Sequence, residues 1–431
     1  MKTPINILIF PAGSEIGLEI NNALKYSKII NVYGGSSVPD HSRYVYSKII
    51  EDIPYYSSKN FIPDMNDILD RYNIDFIYPA LDNVQLFLTE HADEIHAKII
   101  TPNLKTAEIC RSKSKTYEYF SDCEFIPHVF TSTKDVQEYP IFVKPAVGCS
   151  AIGACIINSN DEFEHYCLEN TEEIVIAEYL PGEEYTIDCF TDRHGQLRVV
   201  MPRIRSRIKG GISVNSIRVD SDSEIQNIAE IINSRLTFNG AWFFQLKKDI
   251  LGRYKLLEIS ARIPGTMGVS RNCGVNFPLL TIYNYINVDV SLNINSYEIE
   301  VDRALISRYK LGIDYTTVYV DLDDTLILSN NQINTILLMF LYQCLNRGKK
   351  IILISKHERN ISETLKSYHI SEELFDEIIH IPKHERKTDY IKTLTSIFID
   401  DSFSERRDVY ETLHIPVFDV DMVESLIDWR I

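Results

Sequence analysis

None of the eight cysteines sits in a CxxC spacing; they stand singly at Cys110, Cys123, Cys149, Cys155, Cys167, Cys189, Cys273 and Cys344. That excludes a zinc ribbon or thioredoxin-like site, and most of them read as small buried hydrophobes in a reducing cytosol. Basic charge is scarce: 44 Lys and Arg face 61 Asp and Glu, a net charge of −17. The deficit speaks against nucleic-acid backbones and anionic membranes as partners, while leaving room for a local basic pocket that takes a small anion. No apolar run approaches the ~18 residues a membrane span needs. The first one, Ile5 to Phe10, is also too short for a secretory leader and reads as a strand, so a cytoplasmic location is expected. Internal repeats and low-complexity segments are missing as well.

What is present is an ordinary globular balance, 45% hydrophobic and 24% charged, over 431 residues, a length that suggests two or three domains. The first hundred residues alternate strand and helix: INILIF, INVYG, DFIYPALD and AKIITP read as strands of a mostly parallel α/β sheet. From 106 to 300 the pattern turns to hairpins mixed with helices, with turns at His194-Gly195 and Leu251-Gly252. From 315 onward the βαβ pattern returns through TVYVDLDD, KKIILIS, SIFIDDS and PVFDV. The join at 300 to 316 is not rich in Gly, Ser or Pro, which predicts a structured connection rather than a flexible tether.

The segment IFVKPAVGCSAIGACII ends a strand at Lys144 and opens a small-residue loop with Gly148, Ser150 and Gly153. Such a loop lets backbone N–H groups close on phosphate oxygens, and the lysine adds a point charge; a bland turn has the same look. It is not a P-loop, since no GK[ST] follows, and PAGSEIG near the start lacks the GxGxxG of a dinucleotide site. Further on, IAEYLPGEEYTID carries Glu178, Tyr179, Leu180 and Glu184, and QLKKDILGRYKLLEISARIPGT carries Gln245, Glu258, Ser260 and Arg262. Period-two alternation predicts that Glu258, Ser260 and Arg262 share one strand face, with Leu257 and Ile259 on the other. Hard oxygen donors beside an arginine suit Mg2+ bridging phosphates; a surface Glu258–Arg262 salt bridge is the plainer alternative. Arg203, Arg205 and Arg207 alternate along MPRIRSRIKGG, and an arginine row in so acidic a chain suggests a grip on a carboxylate.

These segments, in this order, resemble the ATP-grasp superfamily over roughly residues 1 to 305, nearest to the carbamoyl-phosphate-synthase-like and pyrrolysine-ligase-like carboxylate–amine ligases. The resemblance implies that Lys113 (in RSKSKTYEYF) and Lys144 hold the ATP phosphates, and that Ala177 to Leu180 read adenine through the backbone. It makes Glu184 the ribose carboxylate, Gln245 and Glu258 the magnesium ligands, and Arg262 a phosphate-binding arginine. Ser150 lies in the phosphate loop. Family members usually carry Asn where this chain has Ser260, which implies a second metal held more weakly or through water. The first domain of the fold usually helps bind the acid, which makes Glu15 and Asp82 substrate candidates beside Arg203 and Arg205.

In TVYVDLDDTLI an apolar strand ends in Asp321, with Asp323 two residues on. An aspartate can accept a phosphoryl group, and a second carboxyl can protonate the leaving oxygen and then activate water. A solvated acidic loop is the alternative for any DxD. Ser355 ends the next strand, Lys387 precedes a helix, and Asp400 and Asp401 end SIFID. Taken together these match the haloacid-dehalogenase-like (HAD) superfamily over roughly 315 to 431. That match implies that Ser355 and Lys387 grip phosphate and that the last acidic pair completes a Mg2+ site with Asp321 and Asp323; which of Asp400 and Asp401 touches the metal stays open. The stretches from Asp321 to Ser355 and on to Lys387 hold core elements only, so no cap domain is expected.

The expected architecture is α/β and α+β multidomain: a pre-ATP-grasp parallel-sheet domain over 1–105, an ATP-grasp domain over 106–305, and a capless, Rossmann-like HAD domain over 315–431. The expected function is bifunctional. One half joins a small-molecule carboxylate to an amine using ATP and Mg2+ through an acyl-phosphate. The other hydrolyses a phosphomonoester on the same pathway compound, borrowing the ligase half as a lid. Two further readings are a phosphatase regulated by a nucleotide-binding half that does not ligate, and a carbamoyl-phosphate-like or carboxylating reaction, against which the missing glutaminase and biotin domains count. The sequence names neither the acid, the amine nor the oligomeric state.

Overall fold

A computed structural model describes residues 4–148, 151–170 and 172–430. The chain divides into two compact units, Met1–Leu305 and Ile306–Ile431. The first unit opens with five parallel strands, β1 (Ile5–Phe10), β2 (Ile30–Gly35), β3 (Ile49–Ile50), β4 (Phe76–Pro79) and β5 (Lys98–Ile99), in the order β3-β2-β1-β4-β5. β1 is apolar except at Asn6, and its last four residues are buried because helices cover both faces. Ile7 and Ile9 pack with Ile16, Ile20 and Leu24 of the helix Glu15–Leu24, while Leu8 and Phe10 pack with Phe61, Met65 and Leu69 of the helix Phe61–Tyr72. Ser14 caps the first of these helices, its Oγ accepting from Gly17 N at 3.0 Å. The strands read from DFIYPALD and AKIITP are shorter than expected, because Asp82 already begins the helix Asp82–Glu90 and the chain leaves the sheet after Ile99.

Two antiparallel sheets follow. The smaller comprises β6 (Val129–Phe130), β7 (Ile141–Pro145), β8 (Cys155–Ile157) and β9 (Ile174–Glu178), in the order β6-β9-β7-β8. The larger comprises β10 (Glu184–Thr191), β11 (Leu197–Lys209), β12 (Ile212–Arg218), β13 (Gly240–Lys248), β14 (Tyr254–Ser260) and β15 (Glu300–Asp302), in the order β14-β13-β10-β11-β12-β15. The turns after β10 and β13 fall where the sequence puts them, and Gly195 (φ +79°) and Gly252 (φ +80°) supply the left-handed backbone they need. Ile187, Trp242 and Phe244 of this sheet bury against Ile225, Ile228 and Ile232 of the helix Ser223–Arg235.

Strict alternation fails in β14. Gln245 is the partner of Glu258, but Leu246 pairs with Leu256, leaving Leu257 as an extra, bulged residue. Leu257 therefore lines the same cavity as Glu258 instead of taking the opposite face. The strand ends at Ser260, so Arg262 belongs to the loop beyond it. β11 is interrupted too: its register against β12 shifts between Ile204 and Arg207, and the three arginines acquire three different environments.

The second unit is a five-stranded parallel sheet: β16 (Thr317–Val320), β17 (Lys350–Ser355), β18 (Glu377–His380), β19 (Ser396–Ile399) and β20 (Val417–Phe418), in the order β18-β17-β16-β19-β20. The helix Thr335–Asn346 separates β16 from β17, and the helix Ile361–Ser367 separates β17 from β18. Of the seven described cysteines, Cys189, Cys273 and Cys344 are buried; Cys110, Cys123 and Cys155 are half-buried and Cys167 is exposed, so full burial holds for fewer of them than expected. No helix among the described residues is long and apolar enough to cross a membrane.

Candidate active sites

In the first unit a cavity of about 280 Å³ lies between the two antiparallel sheets. Lys113 opens the helix Lys113–Tyr119 and sends its ammonium to 3.6 Å from Glu258 Oε2. Lys144, on β7, is buried; its Nζ donates to Tyr117 Oη at 2.7 Å and to the Leu257 carbonyl at 3.0 Å. Burial first, then the charge of Lys113, pulls the Lys144 ammonium down to about 7. Glu178, Tyr179 and Leu180 line the wall where β9 ends, and Glu178 Oε1 accepts from His128 N at 2.7 Å. Glu184 begins β10 and forms an ion pair with Arg205. Ser150 lies outside the described residues.

A second cavity, of about 260 Å³, adjoins the first: Lys113, Arg205, Gln245 and Glu258 line both. Its far wall carries Glu15, Asp82, Ser260, Arg262 and Arg303. Asp82 draws Ser260 and Arg262 together, accepting from Ser260 Oγ at 2.9 Å and from Arg262 Nη2 at 2.7 Å. Burial alone lifts a carboxyl, but here the Arg262 guanidinium and these hydrogen bonds outweigh it and hold Asp82 below its ordinary range. Glu15 pairs with Arg303 at 2.8 Å.

The arginine row separates into three roles. Arg203 is buried, with Nε and Nη2 each 3.1 Å from an Asp188 oxygen and Nη1 3.3 Å from Ser216 Oγ. These bonds hold its guanidinium in the wall of the second cavity. Arg205 spans Glu184 and Gln245 Oε1, the latter at 2.9 Å. Arg207 is exposed and pairs with Asp302 at 2.6 Å. Tyr117, Asp188 and Arg303 escaped the sequence reading; the i, i+4 spacing of Lys113 and Tyr117 on one helix face was the available signal.

The donor set suits a divalent cation. Gln245 and Glu258 are direct cross-strand partners that present an amide oxygen and a carboxylate to the junction of the two cavities. The Ser260 hydroxyl donates to Asp82, and Gln245 Oε1 also accepts from Arg205 at 2.9 Å.

A family model described as "ATP-grasp in the biosynthetic pathway with Ter operon" matches residues 170–302. D-alanine–D-alanine ligase of Thermotoga petrophila is 32% identical over 95 residues, 20% of this chain and 31% of that protein. 3-Methyl-D-ornithine–L-lysine ligase of Methanosarcina mazei is 26% identical over 196 residues, 44% of this chain and 49% of that protein. The chain thus spans about a third to a half of the length of these curated relatives. The structure of N5-carboxyaminoimidazole synthetase from Staphylococcus aureus complexed with ADP superposes with a TM-score of 0.56 at 16% identity, over 68% of this chain and 81% of that one, a likeness of fold. Together these matches show a likeness to ATP-grasp ligases in sequence over part of the chain and in fold over two thirds of it; such ligases use ATP and Mg2+.

In the second unit the strand ends converge. Asp321, Asp400 and Asp401 each offer an oxygen within 4.8 Å of the others. Lys387 Nζ lies 2.8 Å from Asp321 Oδ1 and 2.6 Å from Asp400 Oδ2. Burial, followed by the charge of Asp321, pushes Asp400 up to about 7 despite Lys387, and burial likewise raises Asp321. Buried carboxylates so short of compensating charge fit a cation. Ser355, the last residue of β17, is buried, and its hydroxyl acts on the Asp321 carboxyl, which places it among the same strand ends. Asp401 bonds Thr325 Oγ1 at 3.1 Å, and Asp323 stands half-exposed against His357 Nδ1 at 2.9 Å. His357 lies in a Lys-His-Glu-Arg tetrapeptide, residues 356–359, that recurs at 383–386. This short repeat went unnoticed in the sequence; the Lys383–Glu358 ion pair joins its two copies.

Proposed function

We propose that Met1–Leu305 is an ATP- and Mg2+-dependent carboxylate–amine ligase of the cytoplasm, and that Ile306–Ile431 is an HAD-type phosphomonoester hydrolase acting on the same pathway compound. The observation that carries the ligase reading is the shared wall of the two cavities, where Lys113, Arg205, Gln245 and Glu258 face both. A nucleotide in one cavity and an acid in the other meet there. Lys113 and Lys144 hold phosphate oxygens, Glu184 takes the ribose hydroxyls, and Ala177 to Leu180 edge the base. Gln245 and Glu258, with Ser260 behind them, hold the metal, which when bound offsets charge on the phosphates. Arg262, steadied by Asp82, and Arg205 stabilise charge building on the transferred phosphoryl group and the acid. The acid's carboxylate oxygen takes the γ-phosphoryl group, giving an acyl-phosphate and ADP; the amine then displaces phosphate to form the amide. The N5-carboxyaminoimidazole synthetase shares only the fold, so the amide-forming reading stands on the curated ligases.

In the hydrolase unit Asp321 is the nucleophile, Asp323 the acid and base, and Ser355 and Lys387 the phosphate grip, with Asp400 and Asp401 completing the metal site. The test is a screen of acids against amines with the full chain. ADP release that requires both supports the ligase; ADP release that requires neither, or phosphatase activity merely altered by ATP, overturns it in favour of a regulatory nucleotide site.

A further inference from the structure

We infer that Tyr117 is the positioning residue that aims the Lys144 ammonium at the nucleotide phosphates; the inference rests on the ATP-binding reading of the larger cavity. A lysine carries three N–H donors on a flexible stem, and burial alone does not decide where they point. Here two donors are fixed. One goes to Tyr117 Oη at 2.7 Å and one to the Leu257 carbonyl at 3.0 Å. Tyr117 is buried and is itself anchored on its other side, its hydroxyl donating toward the Leu256 and Leu257 carbonyls at 3.0 and 2.9 Å. That hydroxyl has one proton to give and accepts from the ammonium, so its direction is set by the strand behind it. The bulge at Leu257 brings these carbonyls within reach, because a regular strand would not put two successive residues on the cavity side.

With two donors held, the third N–H of Lys144 has no bonded partner among the described residues, and the side chain lines the cavity together with Lys113. Lys113 and Tyr117 stand one helical turn apart on the helix Lys113–Tyr119, so a single helix face delivers one lysine directly and orients the other. Tyr117 touches no reacting atom in this scheme; it acts through Lys144.

The experiment is a double-mutant cycle on the full chain with Tyr117→Phe and Lys144→Met, reading equilibrium affinity for ATP with Mg2+ and, separately, for adenosine. Loss of one hydrogen bond to a charged group corresponds to about tenfold. Tyr117→Phe is expected to weaken ATP about tenfold, to leave adenosine unchanged, and to add nothing in the Lys144→Met background. Equal weakening of ATP and adenosine, or full additivity with Lys144→Met, would show a merely structural role and overturns the inference. Unchanged ATP affinity overturns it as well. Failure of the wild-type chain to bind ATP sinks the nucleotide reading itself, a separate result. Should the Phe variant fail to fold, Tyr117→Leu, which also lacks the hydroxyl, takes its place in the same cycle.

Discussion

Gln245 and Glu258 face each other across β13 and β14, and one pair further along the register slips to Leu246 against Leu256. The slip leaves the amide and the carboxylate side by side at the junction of the two cavities and turns the Leu257 carbonyl toward Lys144.

From that junction, Glu258→Ala and Lys144→Ala are each expected to abolish ADP release that depends on an acid and an amine. Hydrolysis of a generic phosphomonoester by the same variants should stay at the wild-type rate, since its residues lie in the other unit. Normal ligation by Glu258→Ala refutes the metal assignment.

An acyl-phosphate route moves a specific oxygen. With ¹⁸O in the acid's carboxylate, mass spectrometry should find one label in the released phosphate. Label in AMP would mean adenylation and a different mechanism.

Asp321→Asn removes the nucleophile and is expected to eliminate Mg2+-dependent phosphomonoester hydrolysis while substrate-dependent ADP release continues. Substantial phosphatase turnover in that variant counts against an aspartyl-phosphate on Asp321.

Arg203 and Asp188 form a buried pair, so Arg203→Met leaves Asp188 stranded with Ser270 Oγ at 2.8 Å as its remaining side-chain partner. Removing one member of such a pair costs about 3–5 kcal/mol, which denaturant unfolding of the first unit should register. Wild-type stability combined with lost acid binding would return Arg203 to a role in gripping substrate.

Asp82 sets an acid limit on the first unit. Its carboxyl is held below the ordinary value by Arg262 and its hydrogen bonds, so the stability it contributes is fully present above the unfolded-state value of about 4 and is lost as pH falls through its lower folded-state value. Asp82→Asn should flatten the decline in unfolding free energy below about pH 4. An unchanged acid limb would mean that the Asp82–Arg262 pair contributes nothing to folding.

Much of this molecule can be read from one dimension. Apolar runs ending in Lys144, Asp321, Ser355 and Asp400 mark strands, and where a strand ends its last polar side chain meets a cleft; β7, β16, β17 and β19 end at or beside those residues. The hairpin turns at Gly195 and Gly252 were legible because a left-handed backbone needs glycine. Other features were out of reach. Period-two alternation assumes an unbroken ladder, so it cannot foresee the extra residue at Leu257 or the slip at Arg207. An arginine's role depends on the carboxylate that meets it: Asp188 claims Arg203, Glu184 claims Arg205, and Asp302 claims Arg207. Asp82 reaches Arg262, and Tyr117 reaches Lys144, only when separate elements pack together. The sequence by itself determined which strands and turns form and which chemistry they carry to their ends, because those depend on neighbouring residues. Only the tertiary structure decided which side chains hold one another in place, because partners distant in the chain compete for the same few donors and acceptors.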